Sequence, residues 1–285
     1  MRFAIVGGDR RSVLLAESLA ADGQRVHCFA NEKAEIKGCV KCRCLSSCLN
    51  EADCVILPLP AEKDGFLNAP LSDERKTAEE LICALEPGQR LIGGGINGAL
   101  LSLAEEGKIR VFDLLREESF TSYNARLTAE AAVGLLIHDC ETAVLDSRAL
   151  VLGYGRVGKA LAFRLKALGS DVTVAARSDA ALREAGNAGV HTLHFTELES
   201  RIGEFDFILN TVPARILSSG VLCSAAENSI FMELASAPGG FDKTLAENIG
   251  LKTIAAPGLP GKFSPRSSAQ VIKRYVYAAV NAGKE

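Results

Sequence analysis

The stretch ALVLGYGRVGKAL, residues 149–161, decides how this chain is read. Four apolar residues, Ala149 to Leu152, run straight into Gly153-Tyr154-Gly155-Arg156-Val157-Gly158, and a helical pattern follows from Lys159 to Leu168. Strand, glycine turn and helix in that order form the G-x-G-x-x-G arrangement that receives a dinucleotide pyrophosphate. Gly153 permits the tight turn, Gly155 lets the backbone approach the phosphates, and Gly158 lets the helix pack closely on the strand. The first helical N–H groups, around Arg156 and Val157, turn the positive end of the helix dipole toward the anion.

Working outward, the next strand ends as VTVAARSDA, residues 172–180. A site for NAD places an acid here to take the ribose hydroxyls. This chain offers Arg177 and Ser178 instead, a guanidinium and a hydroxyl suited to a 2′-phosphate, and NADP is the expected cofactor. Further on, Asn210, Thr211, Val212 and Pro213 close the fourth strand of the same domain and are expected to border the nicotinamide ribose.

The first half repeats the plan. RFAIVGGDRRSV, residues 2–13, is again an apolar strand running into glycines, and EADCVILPLP (51–60) matches EFDFILNTVP (204–213) in acid, apolar strand and proline. Short apolar strands alternate with helical stretches in both halves, the pattern of a parallel sheet covered on both faces. The expected fold class is α/β, with two doubly wound, Rossmann-like domains joined by hinge helices. The boundaries read as 1–123 for a substrate domain, 124–145 for a hinge helix and 146–264 for the NADP domain. A final helix, 265–285, returns to the first domain. Within the hinge segment the helix is expected from Thr128 to Thr142, with Ala131, Leu135 and His138 on one face.

The first glycine turn is a poor dinucleotide site, because Asp9 puts an anion where the pyrophosphate would lie. Its Arg10 and Arg11 either reach a substrate carboxylate or stand in solvent. APGLPGKFSPRSSAQ, residues 256–270, reads as a loop that brings Lys262, Arg266 and Ser267 to the start of the last helix, a set suited to a carboxylate. Asn124 and Thr128 are candidates for the other end of the substrate. Hydride transfer in a cleft between the domains follows from this layout.

Composition narrows the alternatives. A net charge of −3 over 285 residues argues against a polyanion partner, and no apolar run reaches the length of a membrane span, which leaves the cytoplasm as the expected location. Nine cysteines in a chain of this size without an export signal read as reduced thiols. Four crowd together at Cys39, Cys42, Cys44 and Cys48, where a strand over 40–45 and a helix over 46–51 would scatter the sulfurs, so no metal site is expected. None of the four histidines (His27, His138, His191, His194) stands in a catalytic pattern, and the proton acceptor is not legible.

In their order along the chain, GGDRR, SYNARLTAEAA, LGYGRVGKALA and PGLPGKFSPRSSA resemble the A-subunit family of the dipicolinate synthases of spore-forming bacteria. Ala131 departs from that family's pattern, where a glycine is expected. LPGKFSPRSSA is also similar to a segment of alanine dehydrogenases and transhydrogenases. The resemblance implies NADP-linked oxidation of dihydrodipicolinate, formed from 4-hydroxy-tetrahydrodipicolinate, to dipicolinate. It also implies partnership with a flavoprotein-like B subunit, and a role in the mother cell during sporulation. Two other readings stay open: another NAD(P)-dependent dehydrogenase of a small amino or hydroxy acid, and a non-catalytic NADP-binding subunit.

Overall fold

Strands that are buried on both faces read as unbroken apolar runs, and helices must cover them. Phe3, Ala4, Ile5 and Val6 are at most 1% exposed, and Ala149 to Leu152 are fully buried. Each of these runs is the central strand of a sheet. The computed structural model describes residues 1–282; the last three positions of the expected 265–285 helix lie outside the described residues.

The strands are β1 (Arg2–Val6), β2 (Arg25–Phe29), β3 (Val40–Lys41), β4 (Cys54–Ile56), the hairpin strands β5 (Glu62–Lys63) and β6 (Phe66–Leu67), β7 (Arg90–Gly93) and β8 (Arg110–Asp113). They continue with β9 (Arg148–Leu152), β10 (Asp171–Ala176), β11 (His191–His194), β12 (Phe207–Asn210), β13 (Ile230–Glu233) and β14 (Lys252–Ala255). Two six-stranded sheets result, ordered β3-β2-β1-β4-β7-β8 and β11-β10-β9-β12-β13-β14. Every pairing in both is parallel. Each order reverses beside its first strand, β1 or β9, and such a switch point is where open α/β sheets bind ligands, at the carboxyl ends of the strands.

The chain groups into two compact units, Met1–Thr121 with the segment from Gly261 onward, and Ser122–Pro260. It passes from the first to the second within the helix Glu118–Asp139 and returns within the short helix Leu259–Phe263.

Several elements differ from the sequence reading. The helix expected from Thr128 begins at Glu118, because no glycine or proline interrupts 118–127 and Phe120, Ala125 and Leu127 supply buried residues there. Its buried stripe in the second unit is Ala129, Ala132, Val133 and Leu136 at helical spacing, while His138 is exposed. The strand expected to reach Leu45 stops at Lys41, and a helix starts at Leu45. The loop expected at 256–264 contains the helix Leu259–Phe263.

The last helix, Pro265–Asn281, starts with proline at its first turn, where no N–H is needed. Ser268, Ala269, Val271, Ile272, Val276, Ala279 and Val280 are its buried residues, and it lies along the helix Arg10–Ala21 of the same unit. Lys273 Nζ reaches Asp22 Oδ2 at 2.6 Å and Ser18 Oγ at 2.9 Å, and the Tyr277 hydroxyl donates to Asp22 at 2.7 Å. Hydrogen bonds from Lys273 and Tyr277 hold the Asp22 carboxyl below its ordinary range. Burial and the Asp22 carboxylate push the Tyr277 phenol from 10.0 up to about 12.

A folded-state pKa above the unfolded one stabilises the fold fully below the unfolded value, and the gain is lost as pH rises through the folded value. Wild-type protein should therefore lose stability between pH 10 and 12 in steps that Tyr277→Phe lacks. Asp22 works in the opposite sense, its contribution fading as pH falls below the carboxylate range. Melting curves of the two proteins across the alkaline range check this; identical slopes would remove Tyr277 from the account.

Candidate functional site

The glycine turn after β9 is shaped by three separate constraints. Gly153 has φ +91°, and a Cβ there would sit 2.7 Å from Val212 Cγ2 and 2.9 Å from Thr211 Oγ1. A Cβ on Gly158 would fall 2.1 Å from the Gly153 carbonyl oxygen. Gly155 meets nothing within 4 Å, so it faces open space at the N-terminus of the helix Arg156–Ala167. It is also the N-cap, and no side chain caps it. A helix of twelve residues whose N-cap carries no side chain leaves room for an anion at its first turn. Arg156 is exposed and Val157 half-buried beside it.

The loop after β12 forms the neighbouring wall. Thr211 is tied to Leu152, its N–H at 3.0 Å and its hydroxyl at 2.8 Å from that carbonyl oxygen. Asn210 is fully buried; its amide donates to the Val212 carbonyl at 2.9 Å and accepts from the Val212 N–H at 3.1 Å. Behind it stands Glu233, at the end of β13, which the sequence reading did not single out. Its Oε1 accepts from Asn210 Nδ2 at 2.7 Å and from the Ala235 N–H at 2.9 Å, and its Oε2 accepts from the Gly240 N–H at 2.7 Å.

One carboxylate thus braces Asn210 to Pro213 and the loop 235–240 together. Glu233→Gln would turn an N–H₂ group toward one of these donors, and a buried donor without an acceptor costs about 1–3 kcal/mol. The unfolding midpoint should drop accordingly; an unchanged midpoint would mean that the brace is not needed.

At the end of β10 no acid is present. Ala175 and Ala176 are buried, and Arg177 and Ser178 follow, both exposed. His194, paired with Ala176 across the sheet, places Nε2 at 3.2 Å from the Arg177 carbonyl oxygen and Nδ1 at 3.3 Å from the Thr196 N–H. A carbonyl only accepts, so Nε2 is the donor to it, and the ring pins the turn that presents Arg177. Burial holds the phenol of Tyr154, inside the glycine turn, above its ordinary pKa. Lys159 lies 5.5 Å over that ring and pairs with Glu184 at 2.5 Å.

The first unit builds the same turn and closes it. The Gly7 N–H donates to Phe29 at 2.8 Å just as the Gly153 N–H donates to Ala175 at 2.8 Å. Asp9 occupies the N-cap with φ −99° and ψ −161°, where Gly155 has φ −79° and ψ −168°. Asp9 Oδ1 accepts from the Arg11 N–H at 2.9 Å, and Arg11 Nη2 reaches Asp9 Oδ2 at 2.8 Å and the Leu59 carbonyl at 2.6 Å. The protein's own carboxylate fills the place of a phosphate. Arg11, with 12% of its side chain exposed, is held by these partners, whereas Arg10 stands exposed.

Gly261 lies directly on this pair, since a Cβ there would be 2.4 Å from Asp9 Oδ2 and 3.0 Å from Arg11 Nε. Lys262, the next residue, is exposed. Arg10 and Lys262, each next in sequence to a member of the Asp9–Arg11–Gly261 junction, are both exposed in the first unit. Arg266 instead lies on the flank of the helix Arg10–Ala21 with Leu14, Glu17 and Ser18, and Ser267 is half-buried. In the second unit the Thr128 hydroxyl donates to the Asn124 carbonyl at 2.9 Å, one turn back in its own helix.

Among the described residues, the histidine–carboxylate pairs lie on the surface. His138 reaches Asp139 at 2.6 Å with 87% of its side chain exposed, and His191 reaches Asp171 at 3.2 Å at the amino edge of the second sheet, away from the glycine turn. Among the described residues no group of three or more His, Cys, Asp and Glu side chains is placed to hold a metal, and no helix is long and apolar enough to cross a membrane.

Residues 2–115 match the family model of the N-terminal domain of the dipicolinate synthase A subunit, and residues 138–227 match that of the NAD-binding domain of D-isomer-specific 2-hydroxyacid dehydrogenases. The chain is 30% identical over 276 residues to the dipicolinate synthase A subunit of Bacillus subtilis, covering 95% of this chain and 93% of that one. The crystal structure of the dipicolinate synthase A subunit from Bacillus halodurans superposes with a TM-score of 0.86 at 25% identity, over 98% of this chain and 97% of that one. A transhydrogenase from Sinorhizobium meliloti, at 15% identity and a TM-score of 0.69 over 98% and 93% of the two chains, shares the fold.

Proposed function

The chain belongs to the A-subunit family of the dipicolinate synthases and carries a nicotinamide-dinucleotide-binding dehydrogenase domain, and from that premise we propose that it oxidises dihydrodipicolinate to dipicolinate with NADP. The observation that carries the reading is the contrast between the twin turns. Gly155 leaves one helix N-terminus uncapped and open, and Asp9 fills the other. A dinucleotide is therefore assigned to the second unit alone, and the carboxyl edge of the first is left to the substrate.

The residues present fit the cofactor. Gly153, Gly155 and Gly158 give the pyrophosphate its turn, Arg156 and Val157 lead the helix that receives it, and Arg177 and Ser178 take the 2′-phosphate. Asn210 to Pro213, braced by Glu233, keep the nicotinamide side rigid. When bound, the nicotinamide supplies the hydride acceptor. The protein contributes position and charge: Arg10 and Lys262 hold a substrate carboxylate beside the Asp9–Arg11–Gly261 junction. Oxidation removes one hydride and one proton, and the ring becomes aromatic, which supplies much of the driving force. The precursor, 4-hydroxy-tetrahydrodipicolinate, reaches the dihydro level by loss of water, and a flavoprotein-like B subunit is the proposed partner.

The test compares substrates. With NADP and the B subunit present, dihydrodipicolinate should be oxidised and alanine and lactate should not; the reverse preference would replace this reading with a dehydrogenase of an amino or hydroxy acid. Removing a charge-assisted hydrogen bond costs about 1.5–3 kcal/mol. Arg10→Ala and Lys262→Ala should each lower kcat/KM roughly ten- to hundredfold with NADPH affinity unchanged. Full activity in both would move the substrate site elsewhere.

A further inference from the structure

The last helix and the helix Arg10–Ala21 enclose a cavity of about 240 Å³, lined by Leu14, Glu17 and Ser18 from one and by Arg266, Ala269 and Gln270 from the other. Residues spaced i, i+3 and i+4 share one face of a helix, and each helix contributes such a set. All six belong to the first unit. Arg266, which the sequence places with Lys262 and Ser267 on a substrate carboxylate, is thereby drawn into different company.

The charges around the cavity are unevenly spent. Lys273, one turn beyond Gln270, is used up on Asp22 Oδ2 at 2.6 Å and Ser18 Oγ at 2.9 Å. Glu17 gives Oε1 to the Lys37 N–H at 3.2 Å, and among the described residues its other oxygen takes no donor. Arg266 is exposed and has no hydrogen bond or ion pair among the described residues. One guanidinium and one carboxylate therefore line the same cavity without meeting, while Leu14 and the buried Ala269 add apolar surface between the polar groups.

We propose that this cavity binds a small zwitterion, an α-amino acid with an apolar side chain, whose carboxylate is taken by Arg266 and whose ammonium is taken by Glu17. A plain carboxylate would gain Arg266 and be repelled by Glu17, and a plain amine would meet the reverse. Only a molecule that carries both charges gains from both. The size agrees, since pockets for larger ligands run from roughly 300 to 1,000 Å³ and this one is smaller. Leu14 and Ala269 are left for the side chain, and Gln270 offers an amide to either polar end.

The experiment titrates the full chain by calorimetry with L-valine and with two molecules that each lack one of its charges. Isovalerate keeps the carboxylate and the branched chain, and isobutylamine keeps the amine and the branched chain. Valine should bind saturably in the millimolar range. The other two should bind at least roughly tenfold more weakly, since each loses a charge-assisted contact and faces a like charge. Arg266→Gln and Glu17→Gln should each weaken valine by roughly tenfold or more. Lys262→Ala, at the place proposed for the substrate, should leave valine binding as it was. No saturable binding of valine, equal binding of isovalerate or isobutylamine, binding that survives Arg266→Gln and Glu17→Gln, or binding lost in Lys262→Ala would each overturn the proposal.

Discussion

Replacing Gly155 with Asp is expected to abolish dinucleotide binding and leave the fold intact. The backbone there, φ −79° and ψ −168°, is ordinary for a helix N-cap, and nothing lies within 4 Å of the added Cβ. Asp is a preferred N-cap residue, and its carboxylate would accept from the first turn of the helix, as Asp9 does in the first unit. The fold should be as stable as wild type or slightly more so. The pyrophosphate would meet a carboxylate in its own place. Two like charges about 4 Å apart repel by about 4 kcal/mol at an effective dielectric of about 20, enough for a loss of several hundredfold in affinity. Titration calorimetry with NADPH and a melting curve separate the two effects. A variant that still bound NADPH would move the cofactor elsewhere, and one that unfolded would show the turn to be structural.

Arg177→Ala should separate the two nicotinamide cofactors. Its guanidinium follows β10 where an acid would serve NAD, and His194 pins the carbonyl of the same residue. Losing a charge-assisted bond to the 2′-phosphate costs about 1.5–3 kcal/mol, so NADPH affinity should fall roughly ten- to hundredfold. NADH affinity should stay as it was. Arg177 is exposed, so the gap between the two cofactors should narrow as salt is raised. An equal loss for NADH and NADPH would return the preference to NAD.

Much of this architecture is legible in the sequence because it depends on local pattern. The unbroken apolar runs at 3–6 and 149–152 announce buried parallel strands, and the glycine spacing at 153–158 announces its turn. Asp9 stands out in the first turn for the same reason. What the sequence hides depends on tertiary partners. Glu233 looks like the polar end of a strand until Asn210, Ala235 and Gly240 turn their N–H groups toward it. Arg11 looks available until the Leu59 carbonyl and Asp9 enclose it. The helix at 118–139 is harder to read because its first ten residues are largely polar and its buried stripe shifts along its length. The expected Ala131–Leu135–His138 face fails at His138, beyond the last buried turn. The faces taken by the cysteines beside β3 escape a spacing argument, since a strand of two residues decides them.

The proposed reaction moves a hydride from dihydrodipicolinate to NADP. Absorbance of NADPH is followed together with dipicolinate in one reaction containing the chain, the proposed B subunit, NADP and freshly formed dihydrodipicolinate. The two products should rise together, one for one, and Gly155→Asp should stop both. Dipicolinate formed without NADPH, or no turnover with either NADP or NAD, would contradict it.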